Sequence, residues 1–137
     1  MKDINGADYQ FSLYIRLRDT HQSGTVTCPN CKRKVFWKKA KVLRLVKCHT
    51  DLRYNEENAI ASCSLCSTSI PFVIERLKTV FAKRKNNEVV SRVMQIASDT
   101  RRKKLTASDY IDYKNEFKRK KLELIESRFF GKEPTLF

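Results

Sequence analysis

The chain has little glycine or proline, three of each in 137 residues, which argues against a loop-rich β-sandwich or a disordered linker protein. Acid is the second shortage: 15 Asp and Glu stand against 29 Lys and Arg, a formal net charge of +14. A solvated surface this positive repels itself unless it meets an anion, so nucleic acid is the default partner. A ribosome-like site or an anionic membrane would attract the same charge. There is, however, no run of about 18 apolar residues and no Trp/Leu-rich lipid-seeking helix, so no membrane partner is expected. The opening "MKDINGADYQ" lacks the apolar stretch of a signal peptide, from which a reducing, cytoplasmic setting is expected. Histidine is limited to His21 and His49, which leaves few groups for proton transfer near neutral pH.

Hydrophobic residues make up 41% of the chain, enough for a small core whose stability would draw on a bound metal. The length fits a single domain, 1–137, with a zinc-stapled core over about 9–84 and a helical extension over about 87–130. The expected class is α+β: a small zinc-stapled β-hairpin plus helix, preceded by an N-terminal helix and followed by C-terminal helices.

Cys28-x-x-Cys31 and Cys63-x-x-Cys66 carry the most specific signal. Zn²⁺ takes four soft ligands in a tetrahedron, and each C-x-x-C places two thiolates on one tight knuckle, so two knuckles complete the shell. Lys32, Arg33 and Lys34 beside the first knuckle favour thiolate and therefore metal. Such a closed shell holds a fold and activates no water. The blander alternative is two reduced pairs in a core; neither pair sits in the βαβ pattern of a redox motif. Cys48, next to His49, has too few further partners for a second zinc and reads as a partly buried thiol.

Apolar spacing in "DYQFSLYIRLRDT" predicts a short helix, and "HQSGTVT" a turn into the first cysteine pair. The runs "KVFW" and "KVLRLV" predict two strands of one hairpin, and "DLRYNEEN" breaks the strand pattern. A helix is predicted through "STSIPFVIERLKTVFAKRK", with Pro71 near its first turn and Val73, Leu77, Val80 and Phe81 as its apolar stripe on the hairpin. "NEVVSRVMQIA" predicts another amphipathic helix. Thr106 with Asp109 predicts the cap of a last, long helix, whose Tyr110, Tyr113, Phe117 and Leu124 share a face and whose Lys118, Arg119, Lys120 and Lys121 form a solvated basic cluster. That helix is also a candidate dimer surface.

Between Cys28 and Arg53 the basic residues are Lys32, Arg33, Lys34, Lys38, Lys39, Lys41, Arg44, Lys47 and Arg53, against the single acid Asp51. Strand alternation would set Lys39, Lys41 and Lys47 on a face opposite Ala40 and Val42. Such a face grips phosphates without reading sequence. Phe36 and Trp37 could stack on a base, but core packing is the expected role. His49 is the only local candidate base, though a lone histidine beside a polar turn is more often structural.

"YIRLRDT", "CPNC", the aromatic strand ending in Trp37 and "LRYNEENAIASCSLC" followed by a helix together resemble the phage NinG/Rap recombination proteins, a branch of the HNH nucleases. The resemblance runs from about residue 9 to the last helix. It implies a zinc-stapled treble-clef or ββα core, a metal-dependent endonuclease acting on branched DNA, a Mg²⁺ at the reacting centre and the cytoplasm of an infected bacterial host. It also implies a Gly-His pair upstream of the "LRYNE" stretch, with an acid just before it.

Lys41-Val42 stands where that pair is expected, and Lys39 where the acid would be. Asn58 matches the family's Asn; Ser67, Thr68 and Ser69 stand where polar or His residues near the catalytic metal are expected. Valine cannot titrate, and lysine, with an ordinary pKa of about 10.4, is a poor base near neutrality. Loss of a general base alone removes roughly 10²- to 10⁴-fold of rate. The expected function is thus a zinc-stabilised DNA-binding protein, for duplex or branched DNA, whose catalysis has degenerated. Two alternatives stay open: a Mg²⁺-dependent, structure-selective endonuclease using His49 and Asn58, and a structural zinc module binding a phage or host protein.

Overall fold

The computed structural model describes residues 2–47, 49–70, 73–99 and 104–135. Cys48 and Pro71 lie outside them. The chain is α+β: helix α1 (Lys2–Arg18), strands β1 (Thr25–Thr27), β2 (Lys34–Phe36), β3 (Lys41–Arg44) and β4 (Ala59–Ser62), then helices α2 (Ser64–Ser69), α3 (Ile74–Arg84), α4 (Asn87–Ser98) and α5 (Ala107–Arg128). Among the described residues no helix is long and apolar enough to cross a membrane.

The first helix is longer than its apolar spacing predicts. Ala7, Phe11 and Ile15, at i, i+4 and i+8, form its buried stripe and pack on Phe117 and Tyr54. Contact with α5 carries the helix back past Gly6, where an added Cβ would lie 3.1 Å from Lys114 Cδ.

The predicted single hairpin is not what forms. β2 pairs antiparallel with β1 (Val26 opposite Val35), and β3 pairs antiparallel with β4 (Val42 opposite Ala61). Between β2 and β3 the chain turns a corner, with the Lys39 N–H donating to Phe36 O at 2.8 Å, while Trp37 is buried and donates its indole N–H to Pro134 O at 2.8 Å. Anchoring Trp37 in the core redirects the chain into a second sheet. The partner strands escaped sequence reading because "TVT" is only three residues long, and "AIAS" is buried at every position and so shows no alternation.

The one helix predicted through Pro71 is two, α2 and α3. Pro71 falls between them in sequence and lacks the N–H that an unbroken helix needs. Leu77, Val80 and Phe81 face the β3–β4 hairpin through Leu43 and Ile60, as the spacing requires, whereas Val73 is exposed. Asn86 caps α4 by accepting from Val89 N–H at 2.8 Å, and Thr106 with Asp109 makes a reciprocal capping box at α5. The cluster on α5 is not wholly solvated: Lys120 turns inward to Glu56 at 2.7 Å, and Arg119 pairs with Glu123.

Among the described residues strand β4 pairs with a strand on one edge, β3, yet it is fully buried. Side chains complete its other edge. Arg18 donates to Ala59 O at 2.7 Å, and Asp19 accepts from Ala61 N–H at 2.8 Å. Groups two residues apart point to the same edge of a strand, so this adjacent pair stands in for a missing strand and leaves neither group orphaned.

Candidate metal centre and basic cavity

The first knuckle is the loop of the β1–β2 hairpin. Cys28 N–H donates to Arg33 O at 2.8 Å and Lys32 N–H to Cys28 O at 3.0 Å, a closure that puts Lys32 at φ +65°. The second begins where β4 gives way to α2: Cys63 is the N-cap, and its Sγ accepts from Cys66 N–H at 3.4 Å. Fold and sequence thus deliver two thiols from a turn and two from a helix start.

All four Sγ atoms lie within 4.8 Å of one another, with Cys31 and Cys63 at 3.6 Å. A tetrahedron with metal–sulfur bonds of about 2.3 Å has edges of roughly 3.8 Å, so the donor set fits a metal ion such as zinc, and the four cysteines are free thiols. Burial opposes ionisation of Cys28, but N–H groups of Cys63, Cys31 and Asn30 outweigh it and bring the thiol down to about 7. Burial pushes Cys66 up to about 12, with the neighbouring cysteines adding to the rise. A cation at the centre of the four would displace their protons.

Asn30, inside the first knuckle, donates from Nδ2 to Cys66 Sγ at 3.3 Å, and its Oδ1 accepts from Arg76 of α3. This relay orients a thiolate from outside the ligand set. Replacing Asn30 with alanine should weaken zinc retention about 10- to 100-fold, read by competition with a chromogenic chelator, with little change in helix content. Unchanged competition would remove the relay from the account.

The candidate catalytic side chains are committed elsewhere. His49 is buried; its Nδ1 accepts from Asp51 N–H at 3.2 Å, which assigns the proton to Nε2, and that atom lies 3.2 Å from Asp99 O. Asn58 is fully buried, accepting from Val46 N–H at 2.8 Å and donating to Val46 O and Leu52 O, so it clasps the loop that leads from β3 to β4. The hydroxyls of Ser67, Thr68 and Ser69 donate to carbonyls of their own helix.

The basic residues do not form one strand face. On the odd side of β3 and the residues after it, Leu43 and Leu45 are core, and Lys41 and Lys47 are exposed only at the ends. Lys32 reaches Pro29 O, Lys38 pairs with Glu133 at 3.3 Å and Arg53 with Asp8 at 2.6 Å. Arg33, Lys34, Lys39, Lys41 and Lys47 are exposed, and among the described residues no carboxylate lies within 4.0 Å of them.

The even side opens on a cavity of about 350 Å³. Val42, Arg44 and Val46 form one wall, Asp8 of α1 and Tyr110 of α5 another, with Lys47, His49, Thr50 and Arg53 around the rim. Sequence reasoning named Arg44, Lys47, His49 and Arg53. It missed Asp8 and Tyr110, which come from distant segments, and Thr50, which follows His49 but carries no motif of its own.

A family model described as "Bacteriophage Lambda NinG protein" matches residues 4–126, a span that takes in both knuckles, the cavity and nearly all of α5. No curated protein and no solved structure matches the chain. With most of its length covered by that family model, the chain belongs to the family of the bacteriophage lambda NinG protein.

Proposed function

We propose that the chain is a zinc-stapled phage protein that grips duplex or branched DNA by its phosphates and is related to recombination nucleases whose cutting chemistry it has lost. The observation that carries this reading is a set of five exposed cations, Arg33, Lys34, Lys39, Lys41 and Lys47, with no carboxylate partner among the described residues; Arg33 is held to the first cysteine knuckle through its carbonyl, and Lys34 follows it. The degenerate chemistry is supported by His49 and Asn58, whose polar atoms are taken up in backbone bonds, and by Val42, which has nothing to titrate.

Five phosphate contacts give a slope of about −4.5 in log affinity against log salt, roughly a 500-fold loss between 50 and 200 mM. A labelled four-way junction and a matched duplex, titrated by gel shift with the zinc-loaded protein, measure it. Affinity that stays flat over that range would remove the phosphate grip. Cleavage of the junction with Mg²⁺ or Mn²⁺, lost in His49→Ala, would replace this reading with an endonuclease.

A further inference from the structure

The cavity walled by β3, α1 and α5 is unlike the rest of the basic surface, because it is concave and its charge is not balanced. Among the described residues Asp8 is its only lining carboxylate, and both oxygens are already occupied: Arg53 donates to Oδ1 at 3.0 Å and to Oδ2 at 2.6 Å, and Tyr54 donates to Oδ1 at 2.7 Å. Burial opposes ionisation of Asp8, but these bonds outweigh it and hold its carboxyl below the usual range, so it is an anion matched by Arg53. Arg44 feels the same carboxylate at longer range, so Arg44, Arg53 and Lys47 share one anion and the lining keeps an excess of positive charge.

Arg44 is half-buried, with its guanidinium 5.2 Å from the Phe11 ring centre and one terminal nitrogen held by Arg53 O at 3.4 Å. Its Nε is buried without an acceptor. Thr50 Oγ1, in the same cavity lining, is likewise buried without a partner. A buried donor left unbonded costs about 1–3 kcal/mol, and more for a charged group. Two in one cavity lining, one of them on an arginine that shares its carboxylate with Arg53, mark a place where acceptors arrive with a ligand.

We propose that this cavity is a phosphate site, taking one phosphate group of a nucleic acid strand between Arg44, Lys47 and Thr50. This rests on the DNA-binding reading for the source of the phosphate, while the exposed cations outside the cavity make only diffuse contacts. A phosphate brings several acceptors to a planar guanidinium, which a carboxylate-free wall otherwise leaves unmet. The volume, near the lower end of small-ligand pockets at about 300 Å³, holds a phosphate with part of its sugar. His49 on the rim has both ring nitrogens engaged, so the site holds a phosphate and moves no proton.

Arginine side-chain NMR on the full zinc-loaded chain tests this, with inorganic phosphate as one probe and a short single strand bearing or lacking a 5′-phosphate as the other, at constant ionic strength. In the native chain a saturable shift of the Arg44 Nε–H signal is expected; read from the backbone amide of Thr50, present in every variant, phosphate affinity should be at least tenfold weaker in Arg44→Gln, partly restored in Arg44→Lys and unaltered in Lys39→Gln. Preference for the 5′-phosphorylated strand assigns a strand end; equal affinity for both strands assigns an internal phosphodiester. A linear, non-saturating shift, or equal titrations of native and Arg44→Gln, overturns the site. Flat phosphate titrations with intact, salt-sensitive junction binding would sink the cavity alone. Saturable phosphate binding without any junction binding would sink the DNA reading and leave the cavity.

Discussion

Removing zinc with an excess of chelator should abolish the cooperative thermal transition of the strand core. Cys28, Cys63 and Cys66 are members of the same buried cluster as Leu43, Ile60 and Phe81. The elements they join cannot stand alone: β1 and β2 are three residues each, and α2 is six. Structural zinc contributes about 10–16 kcal/mol of apparent binding free energy, against a typical domain stability of about 5–15 kcal/mol. A zinc held by the four thiols would therefore contribute about as much as a domain's whole net stability. Near-ultraviolet dichroism of Trp37, held by Pro134 O, should collapse, while far-ultraviolet signal from α1 and α5 falls less. Cys63→Ser should reproduce the effect, because that thiol both faces Cys31 and caps α2. An apo protein that melts at the same temperature with native Trp37 dichroism would mean that the four thiols only pack.

The knuckles were legible because C-x-x-C is a local pattern whose chemistry travels with it, and the capping box at Thr106 was legible for the same reason. Strand pairing was not. It depended on where Trp37 is buried, among Leu17, Ile125 and Phe129 with its indole N–H on Pro134 O, ninety-seven residues away along the chain. The family resemblance placed the chain correctly and led attention to Val42 and Asn58. What Asn58 does could only be seen from its partners, Val46 and Leu52, which share no motif with it.

Charge was harder to read than cysteine. Residues equally basic in sequence separate into three kinds once folded: Arg53 and Lys120 are tied to carboxylates, Lys39 and Lys41 are exposed with no carboxylate partner among the described residues, and Arg44 is half-buried with its Nε unbonded. A long cationic side chain reaches far enough to find an acid on another element, and sequence spacing does not say which one it finds.

Asp19→Asn should be the most damaging change that leaves the metal ligands and the cavity untouched. Asp19 accepts from Arg18 at 2.9 Å and from Ala61 N–H at 2.8 Å, and Arg84 of α3 lies 3.5 Å away. It thus closes the bare edge of β4 and links the end of α1 to α3. Removing the charge strands two arginines, one of them pinned to β4 by its bond to Ala59 O. Breaking a buried pair costs about 3–5 kcal/mol; both arginines keep some solvent, which points to the lower end. At about 3–5 °C per kcal/mol for a chain of this size, the melting temperature should fall by roughly 10 °C. The pH dependence has a definite sign. Burial opposes the Asp19 carboxylate, but Arg18, the Ala61 N–H and Arg84 outweigh it and hold the folded-state pKa below its ordinary value. Its stabilisation is therefore complete above the ordinary carboxylate pKa of about 4 and is lost as pH falls below that value toward the folded pKa. Asp8 and Glu56 are shifted in the same direction, and the knuckle thiols also take up protons in acid, but all of these are present in both proteins. The difference in stability between native protein and Asp19→Asn should hence shrink as pH is lowered through and below about 4. A difference that stays constant across that range would assign the edge of β4 to packing alone.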